Sequence, residues 1–177
     1  TPYLCAYVKL EATKMNEKLA QEMKEERVDR DGALPLLSSC IQLFLFIKNG
    51  IKRCTRLSTG GPFFDLHRAF CAVLTRYAGL LDAKLPKPSS TLTGARKPMK
   101  AGGEVDACYV VNTAEYCADT VEQLQEMIQG KIDPEYKERV DMAQTSKILV
   151  SMLAASMFLG VGCRWWHQGR NALRKDG

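Results

Sequence analysis

Residues 108–125 read CYVVNTAEYCADTVEQLQ, and this stretch decides the fold class. Its spacing is typical of one face of an α-helix and not of the strict alternation of a strand. It contains no metal-ligand spacing, no nucleophile beside a partner base and no phosphate-binding loop. It therefore predicts a long amphipathic helix over about 104–129 that carries no chemistry of its own. The apolar positions of that helix are Cys108, Val111, Ala114, Cys117, Val121, Leu124 and Ile128.

The residues before this stretch predict three more helices, over about 2–28, 34–57 and 63–85. The first has an apolar stripe that includes Tyr3 and an opposite charged face that includes Glu11, so we expect it to pack on one side. The second contains IQLFLFI at 41–47 and should be the most buried. Its basic end, which includes Arg53, suits a helix C-terminus or, alternatively, a phosphate- or lipid-binding patch. Together they predict an all-α fold, an elongated antiparallel helical bundle that forms a rod-like segment.

Composition divides the chain into four parts. Residues 1–85 are a three-helix segment, and residues 86–103 (PKPSSTLTGARKPMKAGG) are a disordered basic linker. Residues 104–143 are the long helix plus a short helix that begins with Asp133 as N-cap and Pro134 and ends near Met142. Residues 144–177 are a divergent apolar tail, either native or an artefact of the coding sequence. Its run at 148–163, followed by Trp165 and Trp166, is either a buried helix or a membrane anchor over 148–166.

Candidate chemistry is sparse in this chain of 177 residues. The net charge of +5 is mild and the aromatic residues are scattered, so we expect no nucleic-acid binding. The seven cysteines are odd in number and form no CxxC pair, which predicts reduced, buried thiols. His67 and Cys71 lie one helical turn apart, but zinc sites need three or four ligands. We therefore expect no enzyme, no catalytic residue, no cofactor-binding residue, no cofactor and no metal site.

The 108–125 stretch resembles the middle of subunit fifty-three of the vacuolar protein sorting family, a component of the Golgi-associated retrograde protein (GARP) tethering complex. The segments 3–15, 36–58 (LLSSCIQLFLFIKNGIKRCTRLS) and 70–86 are similar to the same family in the same order. Ile132-Asp133-Pro134 and Val140-Asp141-Met142 also match, most closely the plant and algal versions. The resemblance covers about residues 1–143, and because the family protein is several times longer, we expect a fragment.

The resemblance implies a non-enzymatic part in protein transport. The complex tethers endosome-derived vesicles at the trans-Golgi network in retrograde transport, and its subunits are rods of helical bundles with an N-terminal coiled-coil zone. Expected partners are the other subunits of the GARP or endosomal recycling heterotetramer, together with SNAREs and small GTPases. The expected location is the cytosolic face of trans-Golgi network and endosome membranes, by peripheral association. The alternative is a small membrane-associated helical protein anchored through residues 148–166.

Overall fold

Helices make up nearly all of the secondary structure in the computed structural model, which describes residues 2–85 and 103–158. The elements in chain order are α1 (Pro2–Lys24), β1 (Val28–Asp29), β2 (Leu36–Leu37), α2 (Ser38–Cys54), α3 (Gly61–Asp82), α4 (Gly103–Gln129), α5 (Pro134–Lys137) and α6 (Ala143–Phe158). The predicted all-α helical bundle is confirmed.

The connection between α1 and α2 differs from the prediction. Helices were expected to end near residue 28 and to restart near residue 34, but α1 ends at Lys24 and α2 starts at Ser38. Between them β1 and β2 form a short antiparallel pair, with Val28 opposite Leu37. The pair continues where Ser38 N donates to Arg27 O at 2.8 Å and Arg27 N donates to Ser38 Oγ at 3.0 Å. We call residues 25–37 the connector.

The helices meet around one apolar core. α1 packs against α2 and α3, and α4 packs against α6, which also contacts α3. Glu11 pairs with Arg53 while Glu26 contacts Ser39, so α1 and α2 run antiparallel. The largest side chains that are almost wholly buried come from the first four helices and include Met15, Leu19, Ile47, Ile51, Phe63, Phe70, Tyr77 and Leu124.

Three side chains differ from the prediction in how far they are buried. Tyr3, assigned to the apolar stripe of α1, is 84% exposed. Glu11, assigned to its charged face, is only 5% exposed because Arg53 of α2 pairs with its carboxylate. The run at 41–47 was expected to be buried almost all round, but Leu45 is 51% exposed because no described element covers that side of α2.

The end of the described chain also departs from expectation. The short helix α5 stops at Lys137, well before Met142, and the side chain of Asp133 does not cap it. α6 packs its first turns on the bundle, with Leu149 and Met152 buried. The predicted linker, apart from Gly103, and residues 159–177 of the predicted tail lie outside the described residues, so the division of the chain into four parts stays a prediction.

Candidate functional site

The polar side chains of the distinctive stretch on α4 contact the connector. Thr113 Oγ1 accepts a hydrogen bond from the backbone N–H of Leu37 at 3.0 Å. Asn112 Nδ2 donates to the carbonyl of Pro35 at 3.3 Å. Thr113 is fully buried and Asn112 is nearly so. An unpaired polar group in a buried position lowers stability by about 1–3 kcal/mol. These two residues therefore hold the connector against α4.

The Thr113 hydroxyl both donates and accepts a hydrogen bond at this junction. Its single hydrogen is donated to the carbonyl of Tyr109 at 2.7 Å, which leaves the oxygen lone pairs for the N–H of Leu37. The phenol oxygen of Tyr109 in turn accepts from Arg30 Nη2 at 3.1 Å, and the guanidinium of Arg30 lies 6.0 Å from the ring centroid. The connector is thus bonded to α4 at three points.

Aromatic packing continues the same contact on the side of α2. The rings of Tyr116 and Phe44 meet edge to face with their centroids 6.4 Å apart. Because the sequence assigns no chemistry to this stretch, it predicts packing and interhelical contacts for Asn112, Thr113, Glu115 and Tyr116. The structure places Asn112, Thr113 and Tyr116 in such contacts, and Glu115 is half-buried on the same helix.

A buried polar chain lies at the same end of the bundle. Ser39 Oγ donates to Glu26 Oε1 at 2.6 Å, so the hydroxyl of Tyr77 must donate to Ser39 Oγ across the 2.8 Å between them. Lys84 forms an ion pair with Glu26. Burial raises the pKa of Tyr77 and lowers the pKa of Lys84. A groove of about 410 Å³ opens beside this chain, lined by Glu26, Lys84 and Tyr109 among others.

The opposite end of the bundle has its own clamp. Thr59, in the loop before α3, donates its hydroxyl to Asp133 Oδ1 at 2.7 Å, and Asp133 N donates to the carbonyl of Thr59 at 3.0 Å. A Cβ on Gly60 would lie 3.0 Å from Asp133 Oδ2, a tight approach that favours glycine there. Asp133 occupies the N-cap position of α5, as predicted, but its side chain does not cap that helix and instead ties the α2–α3 loop to the segment after α4.

The ion pair between Glu11 and Arg53 joins α1 to α2. It is bidentate, with Arg53 Nε 2.9 Å from one carboxylate oxygen and Arg53 Nη2 2.7 Å from the other. Hydrogen bonding to Glu11 raises the pKa of Arg53. Burial raises the pKa of the adjacent Tyr7 to about 12 and that of Cys54 to about 11. The charged groups of this cluster therefore hold α1 against α2.

His67 and Cys71 do lie side by side, as their spacing predicts. Cys71 Sγ is 3.5 Å from His67 Nε2, and His67 stacks on Phe64 with centroids 5.7 Å apart. Burial lowers the pKa of His67 and raises that of Cys71, which favours a neutral imidazole beside a neutral thiol. In the part of the chain that the structure describes, no three residues of the types His, Cys, Asp or Glu are grouped to hold a metal ion.

The thiols only partly match the sequence prediction. Cys40 and Cys117 are buried, with their sulfur atoms 3.2 Å apart, and burial raises the pKa of Cys117. Cys5 is exposed although a buried thiol was expected. Cys108 is disulfide-bonded, so the prediction of a reduced thiol is wrong there.

The membrane anchor predicted as an alternative lies largely beyond the described side chains. Among the helices of 2–85 and 103–158, none has both the length and the apolar character that a bilayer crossing requires. Residues 159–166 of the proposed anchor lie outside these ranges.

Comparison with known proteins supplies a relative. The chain is 38% identical over 151 residues to a curated protein of Arabidopsis thaliana, Vacuolar protein sorting-associated protein 53 A. The match covers 81% of this chain but 18% of that protein, so the chain spans less than a fifth of the relative's length. No protein-family model matches the chain, and no solved structure does. Identity of this extent establishes common descent, and the chain belongs to the family of vacuolar protein sorting-associated protein 53.

Proposed function

We propose that this chain is a structural, non-enzymatic segment of a vesicle-tethering subunit that acts in retrograde transport from endosomes to the trans-Golgi network. Membership of the family supports the tethering role. The proposed partners are the other subunits of the GARP and endosomal recycling heterotetramers, with SNAREs and small GTPases as further contacts. The proposed location is peripheral, on the cytosolic face of trans-Golgi network and endosome membranes.

The observation that carries this proposal is the use of polar groups on α4. Thr113 and Asn112, in the stretch that most resembles the family, bond backbone atoms of the connector. At the other end of the bundle, the Asp133 carboxylate accepts a hydrogen bond from the Thr59 hydroxyl. Polar side chains that hydrogen-bond neighbouring segments make helix junctions stiff, because breaking these bonds leaves polar groups unpaired. Stiff junctions suit a protein whose work is to hold two membranes at a fixed distance.

The state of the titratable groups supports a non-enzymatic role. Nucleophilic cysteines need a lowered pKa and partial exposure. Here burial raises the pKa values of Cys54, Cys71 and Cys117 instead. The neutral pair of His67 and Cys71 packs beside the ring of Phe64, which is the environment of side chains that contribute to packing.

The direct test is the return of cargo to the trans-Golgi network. Cells that lack the full-length parent protein should accumulate an endosome-derived membrane cargo in small vesicles, and the intact parent should restore its return. Normal cargo return in the depleted cells would sink the proposed direction of transport.

The non-enzymatic part of the proposal needs its own variant. The parent carrying Cys71→Ala removes the sulfur of the His67–Cys71 pair, which is the closest approach to a nucleophile with a base in the described ranges. We expect it to restore cargo return as well as the intact parent at equal protein level. Loss of cargo return, with normal protein level and normal thermal stability, would instead point to chemistry at Cys71.

A further inference from the structure

One side of α2 is only partly covered by the elements that the structure describes. Residues Ile41, Leu45, Lys48, Lys52 and Arg56 recur three or four positions apart along it, and Arg56 lies in the turn just after the helix. Leu45 is 51% exposed, Lys52 and Arg56 are exposed, and Ile41 and Lys48 are half-buried. We call these five residues the α2 outer face. It measures about 22 Å from end to end at 1.5 Å per residue.

The positive charge of this face is uncompensated. None of Lys48, Lys52 and Arg56 forms an ion pair with a carboxylate of residues 3–85 or 105–152. Arg53, on the neighbouring side of the same helix, is instead fully engaged by Glu11. The sequence from Gly32 to Phe64 contains no acidic residue, so α2 has no carboxylate of its own to offer. The face therefore attracts an acidic surface.

The apolar end of the face is separate from its basic end. Ile41 and Leu45 occupy the first half of α2, and Tyr116 of α4, which is 39% exposed, packs on Phe44, the residue next to Leu45 in the chain. Lys48, Lys52 and Arg56 occupy the second half. A helix that lies on a membrane has its apolar residues along its whole length and its basic residues beside them. Apolar and basic halves placed one after the other favour a protein partner with a matching order.

We propose that the α2 outer face binds an acidic amphipathic helix of a partner protein. The partner helix lies along α2, with apolar side chains on Leu45 and Tyr116 and with carboxylates, spaced four residues apart, opposite Lys48, Lys52 and Arg56. Side chains at that spacing share one face of a helix, so three carboxylates reach the three cations at once. This proposal rests on the proposed function for its biological setting, because it names the chemistry of one subunit contact.

The test uses the purified chain and a synthetic helical peptide of about 18 residues, roughly the length of the face. The labelled peptide carries two Leu near one end, three Glu at four-residue spacing along the same side, and Ala, Gln and Ser elsewhere; a second peptide has the reverse order. We expect saturable binding of one of the two by fluorescence anisotropy. Lys48→Glu with Lys52→Glu should weaken it about tenfold or more, because like charges then face each other.

Matched controls separate this face from general charge. Lys9→Glu with Lys14→Glu changes the same net charge at exposed positions of α1 and should leave binding unchanged. A peptide with Gln in place of its three Glu should bind at least about tenfold more weakly. Leu45→Ala should also weaken binding while the circular dichroism spectrum and melting temperature of the chain stay the same.

Three results would overturn the proposal. The first is that neither acidic peptide binds, or that the α1 variant loses binding as much as the α2 variant. The second is that phosphatidylserine vesicles bind through Lys48 and Lys52 while the peptides do not, which assigns the face to a lipid surface. The third is self-association in analytical ultracentrifugation that depends on the same lysines without peptide binding, which assigns the face to a second copy. None of these binding assays measures cargo return, so each of these results leaves the tethering proposal standing.

Discussion

The hydroxyl of Thr113 accepts the backbone N–H of Leu37 at 3.0 Å, and this buried bond joins α4 to the strand that leads into α2. The two residues are 76 positions apart in the chain. The bond satisfies a backbone group that has left the solvent, and the same hydroxyl is held in orientation by the carbonyl of Tyr109. Thr113, in the stretch that resembles the family, therefore has a structural role.

Thr113→Val is the most specific test of this junction. Valine keeps the shape of threonine but cannot accept a hydrogen bond, so the buried N–H of Leu37 loses its partner. We expect the free energy of unfolding to fall by about 1–3 kcal/mol in urea denaturation.

The matched control for that variant is Thr120→Val on the same helix. Thr120 is also buried, but its hydroxyl only donates to the Tyr116 carbonyl, which the helix already satisfies. We expect a loss below about 1 kcal/mol because no buried group is orphaned. Equal losses for the two variants would show that the bond to Leu37 contributes nothing special.

Local sequence signals predicted the helices well where they were strong. α3 has a clear apolar face and a Gly-Pro start, and its predicted range of 63–85 overlaps nearly all of Gly61–Asp82. The long helix predicted over about 104–129 is α4, at Gly103–Gln129. Both were predictable because the periodicity and the flanking residues agree.

Contacts between distant residues explain what the sequence alone missed. The β1–β2 pairing depends partly on Thr113 and Asn112, which lie more than 70 positions beyond it. The burial of Glu11 depends on Arg53, and the role of Asp133 depends on Thr59. No local pattern encodes which charge meets which, so the sequence predicts a solvated Glu11, and it predicts the N-cap position of Asp133 but not its bond to Thr59.

Two glycines of the bundle should respond in opposite directions to alanine. Gly60→Ala places a Cβ 3.0 Å from Asp133 Oδ2, and Asp133 cannot move without stretching its bond to Thr59. We expect a loss of about 1–3 kcal/mol. Gly79→Ala lies within α3 with nothing within 4 Å of the new Cβ, so we expect a gain of about 0.5–1 kcal/mol.

A double-mutant cycle identifies the cause of the loss at Gly60. In the background of Asp133→Ala the crowding oxygen is gone, so Gly60→Ala should cost clearly less there. An unchanged cost in thermal or urea unfolding would place its origin elsewhere in the loop.

His67 makes stability depend on pH. Its pKa is lowered below the ordinary 6.5, first by burial and then by Arg68, while Asp141 acts in the opposite direction and Cys71 contacts the ring as a neutral thiol. Between the lowered pKa and 6.5, His67 therefore binds a proton in the unfolded chain but not in the folded chain. This contribution is fully present above pH 6.5 and is lost as the pH falls through 6.5 towards the lowered value, by at most about 1.4 kcal/mol per pH unit.

The measurement is the free energy of unfolding between pH 5 and pH 8 for the intact chain and for His67→Gln (about the range in which histidine titrates). The difference between the two should shift in favour of the variant as the pH falls. Carboxylates that do not interact with His67 are common to both proteins and cancel in the difference. Two parallel curves would show that His67 titrates in the folded chain as it does in the unfolded chain.

Neighbouring residues of α2 should differ sharply in their tolerance of charge. Phe44 is 3% exposed and Leu45 is 51% exposed. Phe44→Asp buries a carboxylate without a partner and should cost about 4 kcal/mol or more, as should Leu74→Asp in α3. Leu45→Asp should change stability by no more than about 0.5 kcal/mol. Similar melting temperatures for the Phe44 and Leu45 variants would contradict the assignment of the core.

Affinity capture of the full-length parent protein tests the central claim most directly. The account predicts that the other subunits of the GARP or endosomal recycling complex co-purify with it in constant proportion, and that Phe44→Asp in the parent reduces their recovery while Leu45→Ala, which weakens one side contact only, keeps most of it. A parent protein that is abundant and folded but purifies without any of these subunits would contradict the account.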